Sequence, residues 1–494
     1  MKQPNIVFIC TDQQRFDSLG CCGNTFARTP NIDRIANGGT RFARHITPCQ
    51  ICAPSRGSIF TGLYPRTHRL YANGIALEGS LPTLPSVLAA AGYQTHGIGK
   101  FHFQPLLAPS ELEMPESKAF WKSHDPGEWR GPFYGFDAVE FVMGDGPEAA
   151  ETGHYGKWLR DTYPEGVELY DKRNALEPLL SDLEICWKSA IPADWHYNTW
   201  IAERAAEFIR EVEAPFFMFV SFPDPHPPFC PPAPYCYAFD PHVIPMPRVK
   251  LGELEALPPY YLEPPHPDEQ GKPILTTHFS ESTLRQVIAH TYGLVQMIDD
   301  SVGRVLNSIE SKGFADNTIV LFTSDHGELL GDHGLLQKGP PPYRQLLEVP
   351  LLMRGPHVLV GQQVDTLTSH IDLMPTLCEL AGVELDELTF EGRSLVPLLD
   401  GSLRSIRGHA FSEYHPRAAH DLYNQTISTE QWRMTIYPEH LDWGELFDLT
   451  DDPFEHRNLY THDAHNSVRE GLRDILSQEF PPRRATDAKR ICKW

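Results

Sequence analysis

Three short apolar runs constrain this 494-residue chain more than anything else in it. NIVFIC (5–10), APFFMFVSF (214–222) and NTIVLFTSDHG (317–327) are of strand length, and their apolar stretches do not alternate with polar residues, the pattern of strands buried on both faces. Helical patterns stand between them. TPNIDRIANGGTRF (29–42) reads as a capped helix, SLPTLPSVLAAAGYQTHGIGK (80–100) as a helix stopped by Gly92 with a strand behind it, and YNTWIAERAAEFIREV (197–212) and 280–313 as further helices. VPLLMRG (349–355) adds a strand. This rhythm predicts an α/β fold: a large, mainly parallel mixed sheet flanked by helices. After about residue 385 it gives way to GHAFSEYH, QTISTEQWRMTIYPE and GELFDLTDDPFE, short antiparallel strands with turns, and then to an amphipathic helix. The expected organisation is a main domain over 1–385 and a smaller C-terminal α+β domain with an antiparallel sheet over 386–494. Two irregular stretches, 104–196 and the proline-dense 223–275, are expected as long loop insertions that line or cover the functional face.

The formal charge of −23, from 42 basic and 65 acidic side chains, argues against a nucleic-acid partner held on a broad basic face. It leaves room for an anionic substrate, since a few cations in a poorly solvated cleft outweigh a negative exterior. No apolar run approaches the roughly 20 residues of a membrane helix, so no membrane partner is expected. MKQPNIVFIC (1–10) makes a poor signal peptide and a good first strand, and the expectation is a cytoplasmic protein. Ten scattered cysteines read as free thiols, and the C-x-x-C of Cys49 and Cys52 as coincidence, because no second C-x-x-C completes a zinc site.

In such sheets ligands gather beyond the carboxyl ends of the strands. There the chain carries Asp12 and Gln13; Lys100 and His102; Asp224 and His226; and Asp325 and His326, with Lys338 a short loop later. Asp12, Gln13, Asp325 and His326 offer oxygen ligands plus one imidazole, which suits calcium, magnesium or manganese. Lys100, His102, His226, Lys338 and Arg56 supply the donors and proton carriers that hold a tetrahedral oxyanion while a leaving group is protonated. A second pair, Asp332 and His333, is read as ordering the loop that carries Lys338. PCQICAPSRGSIFTGL (48–63) places Cys52 and Arg56 at a helix start, whose free N–H groups and dipole favour an anion.

The string C-A-P-S-R at 52–56, followed by G-S-I-F-T-G, resembles the signature of type I sulfatases of the alkaline-phosphatase-like superfamily. The resemblance extends through TDQQR, GIGKFH, PHPPF, TSDHGELLGDHGLLQK and LFDLTDDPFEHRNL, and so spans nearly the whole chain. It implies a sulfuric ester hydrolase, arylsulfatase-like, in which Cys52 is oxidised to formylglycine by a maturation enzyme. The implied metal site is Asp12, Gln13, Cys52, Asp325 and His326, holding one divalent ion, calcium first and manganese or magnesium as alternatives. Arg56, Lys100, His102, His226, Asp325 and Lys338 are implied around the sulfate, and the substrate is a small-molecule or saccharide sulfate ester. Gln13 and His326 depart from many sulfatases, which carry an acidic residue and an amide there; choline sulfatases and phosphonate monoester hydrolases share them. The nearest rival is therefore phosphonate monoester or phosphodiester hydrolysis on the same scaffold. The relatives that catalyse it typically place hydroxyl side chains where Lys100 and His102 stand, which favours sulfate here. A cysteine-dependent phosphatase would need five residues between cysteine and arginine, not three. The remaining alternative is a non-catalytic metal-binding protein with Cys52 unconverted. A homo-oligomer is compatible with the proline-rich loops.

Overall fold

The computed structural model describes residues 3–123, 129–179, 184–213, 215–261, 279–384, 388–415, 422–484 and 488–492, with the backbone of 275–276. Its strands are β1 (Asn5–Asp12), β2 (Thr40–Ile46), β3 (Gln94–Gly99), β4 (Ala138–Phe141), β5 (Phe216–Pro225), β6 (Leu275–Thr276), β7 (Thr318–Ser324), β8 (Leu336–Gln337), β9 (Glu348–Arg354), β10 (Gln362–Ser369), β11 (His409–Tyr414), β12 (Asn424–Thr429), β13 (Trp432–Ile436) and β14 (Gly444–Asp448). Eight of them form one sheet in the order β10-β2-β9-β7-β1-β5-β3-β4, in which only β9 runs against its neighbours. β11 to β14 form a second, fully antiparallel sheet, and β6 pairs with β8.

β1 sits mid-sheet between β5 and β7, parallel to both, and every residue in it is buried. The unbroken apolar run follows from that position, because both faces of the strand are covered. Ile6, Phe8 and Cys10 face one core with Phe217, Phe219 and Leu321; Val7 and Ile9 face the other with Met218, Val220 and Val320. The first core is covered by helices Cys52–Thr61, Leu84–Ala90 and Leu373–Leu380, the second by Pro30–Asn37, Tyr197–Glu211 and Glu281–Ser311. Phe60 fixes the Cys52 helix on the sheet: its ring lies 4.9 Å from that of Phe219 and 5.0 Å from that of Phe103. Truncating such a side chain costs about 3–5 kcal/mol.

The expected helix over 29–42 is shorter than its sequence implies. It ends at Asn37, and β2 begins at Thr40. The break is steric: a Cβ at Gly39 would lie 2.0 Å from the Met353 carbonyl oxygen, so only glycine passes this close to β9. The stretch 104–196 is also less irregular than expected, since it contains β4 and the helix Gly153–Thr162.

The smaller sheet packs Phe411, Ile427, Met434 and Leu446 against Leu472 and Leu476 of the helix Asn466–Glu479. It also grips the segment before the Cys52 helix: the Glu413 amide donates to the Pro48 carbonyl at 2.9 Å, and the Ser412 hydroxyl to the Thr47 carbonyl at 2.7 Å. Among the described residues no helix is long and apolar enough to cross a membrane.

Candidate active site

Four strands deliver their ends to one place. β1 ends at Asp12, β3 leads into Lys100, β5 passes Ser221 and ends one residue before His226, and β7 leads into Asp325 and His326. Opposite them the helix Cys52–Thr61 begins at Cys52 and is buried along its whole length. Its start is held by Ser55, whose hydroxyl donates to the Asp325 carbonyl at 2.6 Å, and by Asn73, whose side-chain oxygen accepts from the Ala53 amide at 3.4 Å.

Cys52 is 1 % exposed. Lys338 Nζ donates to it at 2.8 Å, His326 Nε2 stands 3.2 Å away, and Asp12 Oδ1 3.7 Å away. Burial pushes the thiol up, but the charges of Lys338 and His326, with hydrogen bonds from His102 and His226, hold it well below the usual thiol range. The residue at 52 is thus primed for ionisation.

Arg56 lies beneath this group, fully buried. Its Nε donates to Asp325 Oδ2 at 2.8 Å, Nη2 to Asp12 Oδ2 at 3.1 Å, and Nη1 to the Lys100 carbonyl at 2.7 Å and Ser221 Oγ at 2.9 Å. Its fork therefore braces the two carboxylates. Burial and the neighbouring Asp12 push Asp325 up, while Asp12 is held below the usual carboxylate range: burial and Cys52 raise it, and Lys100, His226 and Arg56 override them. Lys100 Nζ bridges Asp12 at 3.0 Å and Asp145 at 2.9 Å. His226 Nδ1 sits 2.6 Å from the Pro227 carbonyl and 3.3 Å from Asp145. His102, with φ of 63°, follows Lys100, and Glu116 accepts from the amides of 102, 103 and 104.

The donor set suits a divalent cation. Ligand atoms of Asp12, Cys52, Asp325 and His326 lie within 4.8 Å of one another. His326 Nδ1 is 2.9 Å from the Gly327 carbonyl, so Nε2 is the ring atom that faces Cys52 and, once deprotonated, could ligate a metal. The Gln13 amide nitrogen donates to Glu328, and its buried Oε1 has no partner among the described residues. An orphaned buried oxygen is costly unless something binds it.

The structure thus brings together every residue singled out at the strand ends except Asp224, which is turned aside: Tyr197 and Asn198 donate to it at 2.6 and 2.7 Å. Asp332 and His333 lie apart from Cys52, with Asp332 paired to Arg15 at 2.8 Å. Cys49 packs with Ile51 and Tyr414, and none of the ten cysteines is in a disulfide. Sequence reasoning missed Asp145, Ser221, Asn73, Glu116 and Glu328. Asp145 carried a usable signal, since it follows β4, whose four residues AVEF were hidden in a stretch read as irregular.

A family model described as Sulfatase matches residues 4–383, and one described as N-sulphoglucosamine sulphohydrolase, C-terminal, matches 331–480. An arylsulfatase of Clostridium perfringens is 27% identical, over 99% of this chain and 98% of its own length. A multifunctional alkaline phosphatase superfamily protein, PehA, of Trinickia caryophylli is 30% identical, over 97% of this chain and 95% of its own. The crystal structure of the phosphonate monoester hydrolase of Agrobacterium radiobacter superposes with a TM-score of 0.80 at 26% identity, covering 97% of this chain and 95% of the other.

Proposed function

Since the chain belongs to the sulfatase family, we propose that this hydrolase cleaves an organic sulfate monoester to an alcohol and sulfate, with formylglycine made from Cys52 as its nucleophile. The observation that carries the reading is the position of Cys52: first residue of a buried helix, its sulfur 2.8 Å from Lys338 Nζ and 3.2 Å from His326 Nε2. Once hydrated, the aldehyde would supply a geminal diol, one hydroxyl to displace the alcohol from sulfur and a second to expel sulfate without water attacking sulfur. A divalent cation held by Asp12, Gln13, Asp325 and His326 would add Lewis acidity at residue 52. Three oxygen donors and one imidazole fit calcium, and the neutral Gln13 and His326 also admit manganese or magnesium.

The chain's own side chains divide the remaining work. Arg56 keeps Asp12 and Asp325 at fixed separation. Lys100 and Lys338 bring positive charge to the sulfate oxygens. His226 is anchored through Nδ1 on Pro227 and Asp145, which leaves Nε2 to give a proton to the departing alkoxide, with Lys338 beside it. Burial keeps His102 below the usual imidazole range, so it is neutral and able to take the proton of the second hydroxyl. A small-molecule or saccharide sulfate ester is the substrate class, and the partner required for maturation is a formylglycine-generating enzyme.

A second reading, phosphonate monoester or phosphodiester hydrolysis, draws support from the likeness to the Agrobacterium structure. Lys100 and His102 favour the sulfate. The test pairs mass analysis of the Cys52 peptide, from protein made with and without a maturation enzyme, with kcat/KM on an aryl sulfate and an aryl phosphonate monoester. Turnover that follows the converted fraction and prefers the sulfate is expected. Full activity with an unmodified thiol overturns the nucleophile, and a large preference for the phosphonate overturns the substrate class.

A further inference from the structure

Away from the strand ends, three side chains from distant parts of the chain meet. Glu253 comes from the proline-dense stretch, His333 from the loop that carries Lys338, and His456 from the loop after β14. Their ligand atoms lie within 4.8 Å of one another. Glu253 Oε2 is 2.5 Å from His456 Nδ1 and 3.5 Å from His333 Nδ1, and the two imidazole rings are 5.4 Å apart.

His333 is the informative member. It is 1 % exposed, its ring lies flat on that of Tyr343 at 3.6 Å, and neither ring nitrogen has a hydrogen-bond partner among the described residues. Leaving a buried imidazole unsatisfied is costly unless something binds it. Nothing in the sulfate chemistry uses it. The adjacent Glu253 is 7 % exposed. A carboxylate and two imidazoles converge here, and of the two imidazoles only His456 is hydrogen-bonded to the carboxylate.

We propose that Glu253, His333 and His456 form a second metal site that takes Zn2+. Two imidazoles and one carboxylate are a donor set zinc accepts, with water as fourth ligand. In tetrahedral coordination at about 2.0–2.1 Å, neighbouring ligand atoms stand about 3.4 Å apart. The Glu253 to His333 separation of 3.5 Å already matches. His456 has to open from 2.5 Å by a side-chain rotation, and it is the most exposed of the three, with 18% of its side chain accessible, so the ion enters past it. The carboxylate of Glu253 also accepts from the Lys250 amide at 3.2 Å, which supports it from outside. The site ties the start of the Lys338 loop to the C-terminal region and acts on that loop's order, five residues from Lys338.

The test is zinc binding by the full chain after chelation and dialysis, read as equivalents bound and as thermal shift, with Co2+ absorption reporting the ligand field. Wild type is expected to bind zinc at both clusters, with one equivalent that Asp325→Ala retains and that both His456→Ala and Glu253→Gln lose, together with that equivalent's share of the zinc-induced rise in Tm. His456→Ala changes a partly exposed side chain and should fold, while Glu253→Gln keeps the shape; circular dichroism of each variant without metal checks this. If both variants bind zinc and respond as wild type does, or if the only zinc bound is lost in Asp325→Ala, the site is a hydrogen-bonded cluster and the proposal fails.

Discussion

Two arginines in this molecule are completely buried between two carboxylates, and they do opposite things. Arg56 spans Asp12 and Asp325 at the carboxyl edge of the large sheet; Arg433 on β13 spans Glu348 on β9 and Glu455 beyond β14, joining the two sheets at 3.2 and 2.6 Å. Around Arg433 the remaining carboxylate oxygens are taken: Arg344 donates its side chain to Glu348 at 2.9 Å and its backbone amide to Glu455 at 2.8 Å. Around Arg56 the set stays open: ligand atoms of Cys52 and His326 converge with those of Asp12 and Asp325, and the side-chain oxygen of Gln13, next in sequence to Asp12, has no partner among the described residues. The closed cluster has nothing left to bind and serves as a brace. The open one holds its charges in place beside a set of candidate metal ligands. Buried charge alone does not mark a site; an incomplete partner set does.

The contrast breaks most clearly at Cys52. Cys52→Ala should lower turnover at least about 10⁴-fold, about 5.4 kcal/mol in the barrier, while urea denaturation shows a stability within about 1 kcal/mol of wild type. Substantial residual turnover would mean the open cluster does not work through residue 52.

Arg433→Met should do the reverse. Two buried carboxylates lose their shared cation, and a stability loss of about 3–5 kcal/mol is expected in denaturant, with kcat and KM of the folded fraction unchanged. A loss under about 1 kcal/mol would show that the closed cluster is not a brace.

Glu413 on β11 sharpens the comparison through pH. Buried beside His415 and Arg66, at 2.8 and 3.2 Å, its carboxyl is held at about 2 against an ordinary 4.5, the neighbouring cations outweighing the burial that raises it. Its contribution, about 3 kcal/mol, is fully present above pH 4.5 and is lost as pH falls from 4.5 towards 2. Glu413→Gln should therefore lower Tm at neutral pH and flatten its fall across that window. An unchanged acid limb would show that His415 and Arg66 do not hold the Glu413 carboxyl down.

The same two clusters show what the sequence reveals. Strands β1, β5 and β7 were legible because burial on both faces demands unbroken apolar runs, and the residues after them follow from chain direction in a parallel sheet. Asp145 was missed because the short strand before it, AVEF, lay hidden in a stretch read as irregular, and Asn73 because it reaches the Ala53 amide only through the fold. Arg433 in WRMTI reads as the polar half of an exposed alternation; only the docking of the smaller sheet on β9 turns it inward. Glu328, whose carboxylate orients Gln13, sits in a loop whose shape is set by tertiary contacts.

The grip of β11 on the segment before Cys52 also sets a clock. The bond from Ser412 to Thr47 spans 365 residues, and at about 5–20 residues per second that distance takes roughly 20–70 s to synthesise. Once it closes, the thiol is 1 % exposed at the bottom of a finished fold. The conversion of Cys52 proposed above would therefore fall in the interval before, while the chain is unfinished.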